Sequence, residues 1–318
     1  MTSLLGGIGT KDRGVARPDR DGAAGRGLGA RLFPYALVAP TLLLLAVFTL
    51  FPLVQGFWTS FFKRGLVVAP RAPSTHPVFV GLDNYLALAS DPEFTGTLIK
   101  TVGFVCVAVP LVIVVSLALA LLLARPFRGV GAIRAVVFFP YMTSLLIVGI
   151  VWKWLLGYNS GLINFILDLA GMAPVPWLEN ALLAQAALVF VWVWANAGFY
   201  MMIFIAGLMM IPGDYYEAAA IDAASPWRMF RRITLPLLRP TMLIALVLAS
   251  VEAFKVYEVV VSLTHGGPGR ATVYLIQAIY ETGFTKPASA GFAAAQSMAL
   301  FAILMALTVL QLRMAKER

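Results

Sequence analysis

Ala181-Leu-Leu-Ala-Gln-Ala-Ala-Leu-Val-Phe190-Val-Trp-Val-Trp-Ala-Asn-Ala-Gly-Phe-Tyr200-Met-Met-Ile-Phe-Ile-Ala-Gly-Leu-Met-Met210 carries no charge, and 34 uncharged residues separate Glu179 from Asp214. A helix needs about 20 apolar residues to cross the hydrocarbon core of a bilayer. This run is long enough, so the chain reads as a membrane protein. Working outward, 31 uncharged residues lie between Arg31 and Lys63, 24 between Lys100 and Arg125, 18 between Arg134 and Lys153, and 26 between Lys286 and Arg313. A sixth apolar segment, 241–263, is interrupted by Glu252, Lys255 and Glu258 but stands between two polar loops. The predicted spans are near 33–62, 99–123, 135–156, 183–210, 241–263 and 289–312. Composition agrees. With charged residues at only 12% there is too little charge to cover a water-facing surface, which excludes an ordinary soluble enzyme. One cysteine excludes an internal disulfide.

Basic residues set the orientation. The side holding the N-terminus, 124–134, 211–240 and the C-terminus carries 16 Lys and Arg, and the other side carries 5. Basic loops stay in the cytoplasm, so both termini are expected inside. The net charge of +9 is thereby assigned to the membrane and not to nucleic acid. Residues 1–32 are Gly- and Arg-rich without apolar periodicity and read as a disordered basic cytoplasmic arm. Pro40, Pro52 and Pro110 fall within spans, where neighbouring groups in a bundle re-satisfy the freed carbonyls. Trp58, Trp152, Trp154 and Trp177 sit near span ends as interface anchors or packing residues. Cys106 reads as a small apolar packing residue of the second span.

The cytoplasmic segment 211–240 holds two helix starts. Asp214 with Glu217 three residues later is a capping-box pattern, and Ala218 to Ala220 are strong helix formers. Ser225 then serves as N-cap, with Pro226 at the first helical position. Pro236 is expected to end the second helix. Trp227, Phe230 and Ile233 recur every third residue as an apolar strip beside Arg228, Arg231 and Arg232. Two short amphipathic helices fit either a cytoplasmic protein partner or a headgroup surface.

Glu217-Ala218-Ala219, Ile221-Asp222 and Ile233-x-Leu235-Pro236 together resemble the EAA loop of binding-protein-dependent ABC importer permeases. The stretch Thr264-His265-Gly266-Gly267-Pro268-Gly269-Arg270-Ala271-Thr272, followed by Ile279-Tyr280 and Phe284, resembles the extracytoplasmic segment of sugar permeases of the maltose-transporter type. Gly291-Phe292-Ala293-Ala294-Ala295-Gln296-Ser297 is similar to that family's approach to its last helix. Gly81-Leu82-Asp83-Asn84-Tyr85 fits the subgroup of the MalF type. One departure is Ala223, where the family usually has Gly. Ala resists positive φ, so the turn is expected to move, to about Ala224-Ser225.

The resemblance implies an all-α polytopic membrane protein with six transmembrane helices in the ABC importer type I permease fold. The implied organisation is a first helix over 33–62, an extracytoplasmic loop over 63–95, a five-helix transmembrane domain over 96–312 with 211–240 as coupling loop, and a tail over 313–318. The implied location is a bacterial or archaeal plasma membrane. Implied partners are a second permease subunit, an ATPase dimer that holds ATP and Mg, and an extracytoplasmic solute-binding protein, for which loop 63–98 is a plausible docking surface. This chain is expected to bind no cofactor and to catalyse nothing itself. Glu217, Ala218, Ala219, Asp222, Arg228 and Arg231 are the expected ATPase-coupling residues.

Glu252, Lys255 and Glu258 are spaced three apart and are expected to share one helical face. Charges at membrane depth face a bundle interior or a wet cavity. They read either as a salt-bridged register lock or, with the resemblance, as the wall of a solute pathway that also includes Tyr257. Asn196, Tyr200, Gln296 and Ser297 are further pathway candidates, since hydroxyls, amides and aromatic faces suit an uncharged polyol. The expected function is alternating-access import of a sugar or oligosaccharide. The alternatives are import of glycerol-3-phosphate by the same machinery, or a proton-coupled secondary transporter using the three charges as a relay. No GxxxxGK[ST] stands in the sequence, and His76 and His265 lack metal-ligand spacing.

Overall fold

The computed structural model describes residues 28–64, 77–285 and 290–316. The N-terminal arm up to residue 27, the centre of the first outer loop with Pro70, Arg71 and Pro73, and the last two residues of the tail lie outside the described residues. The chain divides into two compact units, Met1–Gln55 and Gly56–Arg318.

α1 (Leu28–Leu45) of the first unit runs through a π turn at Ala46–Leu50 into α2 (Phe51–Thr59), along which the chain passes into the second unit. The window Tyr35–Thr59 is long and apolar enough to cross a membrane, and none of it is buried within the chain. A helix apolar on all sides needs no core of its own chain when hydrocarbon surrounds it.

The second unit opens with a two-stranded antiparallel hairpin, β1 (Phe62–Arg64) and β2 (Pro77–Phe79), in which Phe62 faces Phe79. This is an addition to the all-helical expectation. The short helix α3 (Asp83–Ala89) follows. Its buried Asn84 donates to Ser60 O at 2.7 Å and to Phe62 O at 3.1 Å, tying α3 to the strand that enters the hairpin.

The core is built on α4 (Pro92–Leu123) and α8 (Ala181–Met209), both long enough to span. Phe104 and Trp192 meet edge to face at 5.9 Å, and Val112, Leu188 and Val191 are fully enclosed between them. Ser116 Oγ donates to Ala197 O at 3.0 Å, an inter-helix bond that a purely apolar seam lacks. The third expected span is two helices, α5 (Val130–Met142) and α6 (Leu145–Leu155), at 98° to each other. An outer loop follows, with α7 (Leu162–Leu169). Buried Asn164 holds that loop closed. It donates to the carbonyls of Tyr158 and Val175 and accepts from Val175 N–H and from Trp177 Nε1–H at 3.0 Å. Trp177 is therefore a loop staple.

The fifth expected span is also interrupted. After α9 (Asp214–Ile221), α10 (Pro226–Met229), a π turn at Phe230–Thr234 and α11 (Leu235–Leu237), the chain bends by 66° into α12 (Arg239–Phe254). A break at Lys255–Tyr257 leads to α13 (Glu258–Leu263). α13 packs on α6 so closely that a Cβ on Gly149 would lie 1.8 Å from Ser262 Oγ; only glycine fits there. Next come α14 (Leu275–Tyr280), a π turn at Glu281–Thr285 and α15 (Ala290–Lys316). Among the described residues four helices meet the length and hydropathy of a span, or up to six if each bent pair counts as one. Cys106, read from sequence as a packing residue, is exposed on α4 instead.

Candidate functional site

α8, with 29 residues, is ~44 Å long at 1.5 Å per residue. Two candidate regions lie at its opposite ends. The α9–α11 segment follows its C-terminus, and residues 264–275 gather at its N-terminus.

At the first end, α9 begins without a side-chain cap. Gly213 is the N-cap, and the amides of Tyr216 and Glu217 bond its carbonyl at 2.8 and 3.1 Å. The expected capping box does not form, because Asp214 is already the first helical residue. Glu217 is left exposed, with Ala218 and Asp222, while Ala219 is half-buried. The turn after α9 stays at Ala223. That residue adopts φ 49°, with Ala223 N–H bonded to Ala220 O and Ala224 N–H to Ala219 O. This pair of bonds is the Schellman closure normally made by glycine. The expectation that alanine would displace the turn is thus corrected: the two bonds offset the left-handed penalty.

Ser225 caps α10 as expected, accepting from Arg228 N–H at 3.4 Å. Pro236 does not end the helix. The backbone widens into the π turn ahead of it, and the axis turns only at Leu238. Tyr216 and Thr234 share a hydroxyl–hydroxyl bond of 3.0 Å that locks α9 to the following helix. The outward surface combines Ile221, 86% exposed, and Trp227, 68% exposed, with exposed Glu217, Asp222, Arg228 and Arg231. Isolated apolar side chains on a surface are ordinary; here two large ones stand beside four charges. Sequence reading found the charges and Trp227 and missed Ile221, whose exposure depends on where α9 stops.

At the other end, residues 264–274 form a knotted segment. Thr264 and Thr272 hydroxyls meet at 2.8 Å, Thr272 Oγ1 donates to Gly267 O at 2.6 Å, and the Gly267–Pro268 peptide is cis. Gly266 has φ 86°, and a Cβ there would lie 2.6 Å from Val273 Cγ2 and 2.8 Å from Gln277 Nε2. The segment is pinned from outside itself. Lys100 Nζ donates to Arg270 O at 2.8 Å, Gln185 Nε2 to Ala271 O at 2.9 Å, and Leu275 N–H to Thr101 Oγ1 at 3.0 Å. Arg270 pairs with Glu93 at 2.7 Å and Glu281 at 3.0 Å. Burial pushes the Tyr274 hydroxyl pKa up. None of the anchors Lys100, Thr101, Gln185 and Glu93 was recognisable from sequence, because each comes from a distant helix.

The interrupted fifth span lies between these ends. Lys255 Nζ and Glu252 Oε1 are 3.1 Å apart, and both side chains are about half exposed. Lys255 ends α12 and Glu258 begins α13, so the three charges do not share one continuous helical face as expected. The backbone change at Val256–Tyr257 separates them. Asn196 is buried and donates to Trp192 O of its own helix at 2.7 Å. Tyr200 is enclosed in the core. Gln296 is buried with its Oε1 unpartnered among the described residues, and Ser297 bonds Ala293 O of its own helix. Among the described residues the pathway candidates do not converge on one cavity. A cavity of about 990 Å³ runs instead along α4, α5 and α8, lined by apolar residues such as Val107, Val136, Val189 and Trp194.

Comparison with known proteins gives a consistent result. The profile of the family described as "Binding-protein-dependent transport system inner membrane component" matches residues 86–315. The chain is 35% identical over 284 residues to the trehalose/maltose transport system permease protein MalF of Thermococcus litoralis, covering 89% of this chain and 94% of that one. It is 31% identical over 291 residues to the sulfoquinovosyl glycerol transport system permease protein SmoG of Agrobacterium fabrum, covering 92% of each. It is 33% identical over 289 residues to the sn-glycerol-3-phosphate transport system permease protein UgpA of Brucella abortus, covering 91% of this chain and 96% of that one. Among solved structures, the fold matches a chain of a bacterial ABC transporter involved in import of the acidic polysaccharide alginate. The TM-score is 0.78 at 22% identity, over 91% of this chain and 97% of that one. A bacterial alginate transporter in complex with an alginate pentasaccharide-bound periplasmic protein matches with a TM-score of 0.77 at 21% identity, over the same shares.

Proposed function

The chain belongs to the family of binding-protein-dependent transport system inner membrane components, and from that premise we propose that it is the transmembrane subunit of an ATP-driven importer carrying a neutral sugar or oligosaccharide. An extracytoplasmic binding protein delivers the solute. A second permease completes the translocation path, and an ATPase dimer on the cytoplasmic side holds ATP and Mg. Both termini are cytoplasmic, in keeping with the 16 to 5 split of basic residues.

The single observation that carries this reading is the α9–α11 segment, tied by the Tyr216–Thr234 bond, and its exposed patch. Ile221 and Trp227 supply apolar contact, while Glu217, Asp222, Arg228 and Arg231 supply direction. Ala218 and Ala219 allow close approach. Closure of the ATPase dimer pushes this segment. The Tyr216–Thr234 bond and the unbroken path through Pro236 pass the motion to α12 at its 66° bend. A ligand drives such a change only through different affinity for the two states, so the ATPase surface has to fit the patch better when closed.

The solute path follows the broken fifth span, with Glu252, Lys255, Tyr257 and Glu258, and takes in Asn196, Tyr200, Gln296 and Ser297 when the second permease is present. Thr264, Gly266, Gly267 and Pro268 cap its outer end. A phosphate-bearing solute wants unpaired Arg or Lys. Lys255 is already paired with Glu252, which favours an uncharged solute over glycerol-3-phosphate.

The test is Glu217→Lys. Transport is expected to be lost and ATP hydrolysis uncoupled, while membrane insertion persists. Normal uptake by that variant would rule out the coupling role. Vanadate is expected to stop wild-type uptake, whereas a protonophore acts first on a secondary transporter.

A further inference from the structure

We propose that Tyr257, Tyr280 and Phe284 form an aromatic lane on which the rings of a neutral saccharide stack between the outer face and the break in the fifth span. This deepens the carbohydrate reading above and rests on it.

The three rings are contiguous. Tyr257 and Tyr280 centroids lie 5.7 Å apart, and Tyr280 and Phe284 lie 4.9 Å apart with planes only 25° from parallel. Exposure rises along the row: Tyr257 is half-buried, Tyr280 is 46% exposed and Phe284 is 77% exposed. Core aromatics behave otherwise, as Phe104, Trp192 and Tyr274 cluster while all are buried. The row opens progressively outward.

Its surroundings are charged. Glu252 and Lys255, both about half exposed, stand just before Tyr257, and exposed Glu258 just after it. Charges at that depth face water, not hydrocarbon. Glu281 follows Tyr280 and is held in place by Arg270 at 3.0 Å and by Gln277 Nε2 at 2.9 Å. Lys255 and Arg270 are already paired, with Glu252 and Glu281, so neither cation beside the rings is left unpaired for an anionic solute. A pyranose presents an apolar face of C–H bonds to a ring and hydroxyls at its rim to fixed acceptors. Aromatic surface with a few oriented polar groups is the usual chemistry of a site for such a molecule.

The experiment uses the chain reconstituted in proteoliposomes with its partner permease, ATPase and solute-binding protein, and assays trehalose, maltose and maltotriose. Tyr280→Ala and Phe284→Ala are each expected to lower the sugar imported per ATP hydrolysed about fivefold, as loss of one stacking contact would. Tyr280→Trp and Phe284→Trp keep a ring and are expected to restore the ratio, which separates stacking from misfolding. Equal ratios in wild type and both alanine variants overturn the lane. So does quenching of the added Phe284→Trp fluorescence by brominated phospholipid with full import by Phe284→Ala, the behaviour of an interface anchor. Wild-type import of glycerol-3-phosphate, assayed alongside, with none of the three sugars imported overturns the carbohydrate reading itself.

Discussion

Ala223 is the residue where local chemistry and backbone disagree most. Its φ of 49° belongs to glycine, and holding an L-residue there costs roughly 1–2 kcal/mol. Glycine's extra freedom in the unfolded chain returns ~0.5–1 kcal/mol of that. Ala223→Gly is therefore expected to stabilise the protein by about 0.5 kcal/mol, read as a raised thermal midpoint in detergent. A lowered midpoint would mean that the methyl group makes contacts outweighing the strain. Gly266 is the reverse case, since its φ of 86° and the 2.6 Å approach of Val273 leave no space for a side chain. Gly266→Ala is expected to cost on the order of 2 kcal/mol, seen as a lower midpoint; a neutral result would mean that the knot opens freely. Both glycine-like positions were visible as motif positions in the sequence. Which of them tolerates alanine was not, because that depends on Val273 and Gln277 at Gly266 and on open space at Ala223.

At the scale of elements, the outer segment 264–275 is held by two kinds of bond of unequal worth. The Arg270 pairs with Glu93 and Glu281 are conspicuous but about half exposed on the arginine, so water and salt screen them to less than ~1 kcal/mol. The bond from Leu275 N–H to Thr101 Oγ1 is buried, and stranding that amide costs about 1–3 kcal/mol. Thr101→Val is accordingly expected to lower the thermal midpoint more than Arg270→Ala does, and the Arg270→Ala loss to shrink as salt is raised. The opposite order would show that the charged bracket, not the buried hydroxyl, anchors the segment. The broken fifth span makes a related point. Glu252, Lys255 and Glu258 lie at helical spacing in the sequence, which is why a shared face was expected. Spacing says nothing about whether the helix continues, and here it stops between the second and third of them.

For the molecule as a whole, the consequence of placing α9–α11 and the 264–275 segment at opposite ends of α8 is sidedness. In a Cys106→Ser background, Ile221→Cys is expected to react with a membrane-impermeant maleimide only in inverted vesicles, and Met172→Cys only in right-side-out ones. Labelling of both from one side would overturn the orientation inferred from the basic residues.

The amino-acid sequence by itself determined what depends on composition and short range. Uncharged runs located the apolar segments, the tally of Lys and Arg supports the orientation proposed for them, and Ser225-Pro226 placed a helix start where it is found. The tertiary structure alone decided the 98° bend between α5 and α6, the break at Lys255–Tyr257, and the anchoring of Arg270, Ala271 and Leu275 by residues 170, 86 and 174 positions away. The reason is that hydropathy is read over one window at a time. A bend or a pinned carbonyl is set by the helix packed against it, and that neighbour is remote in the chain.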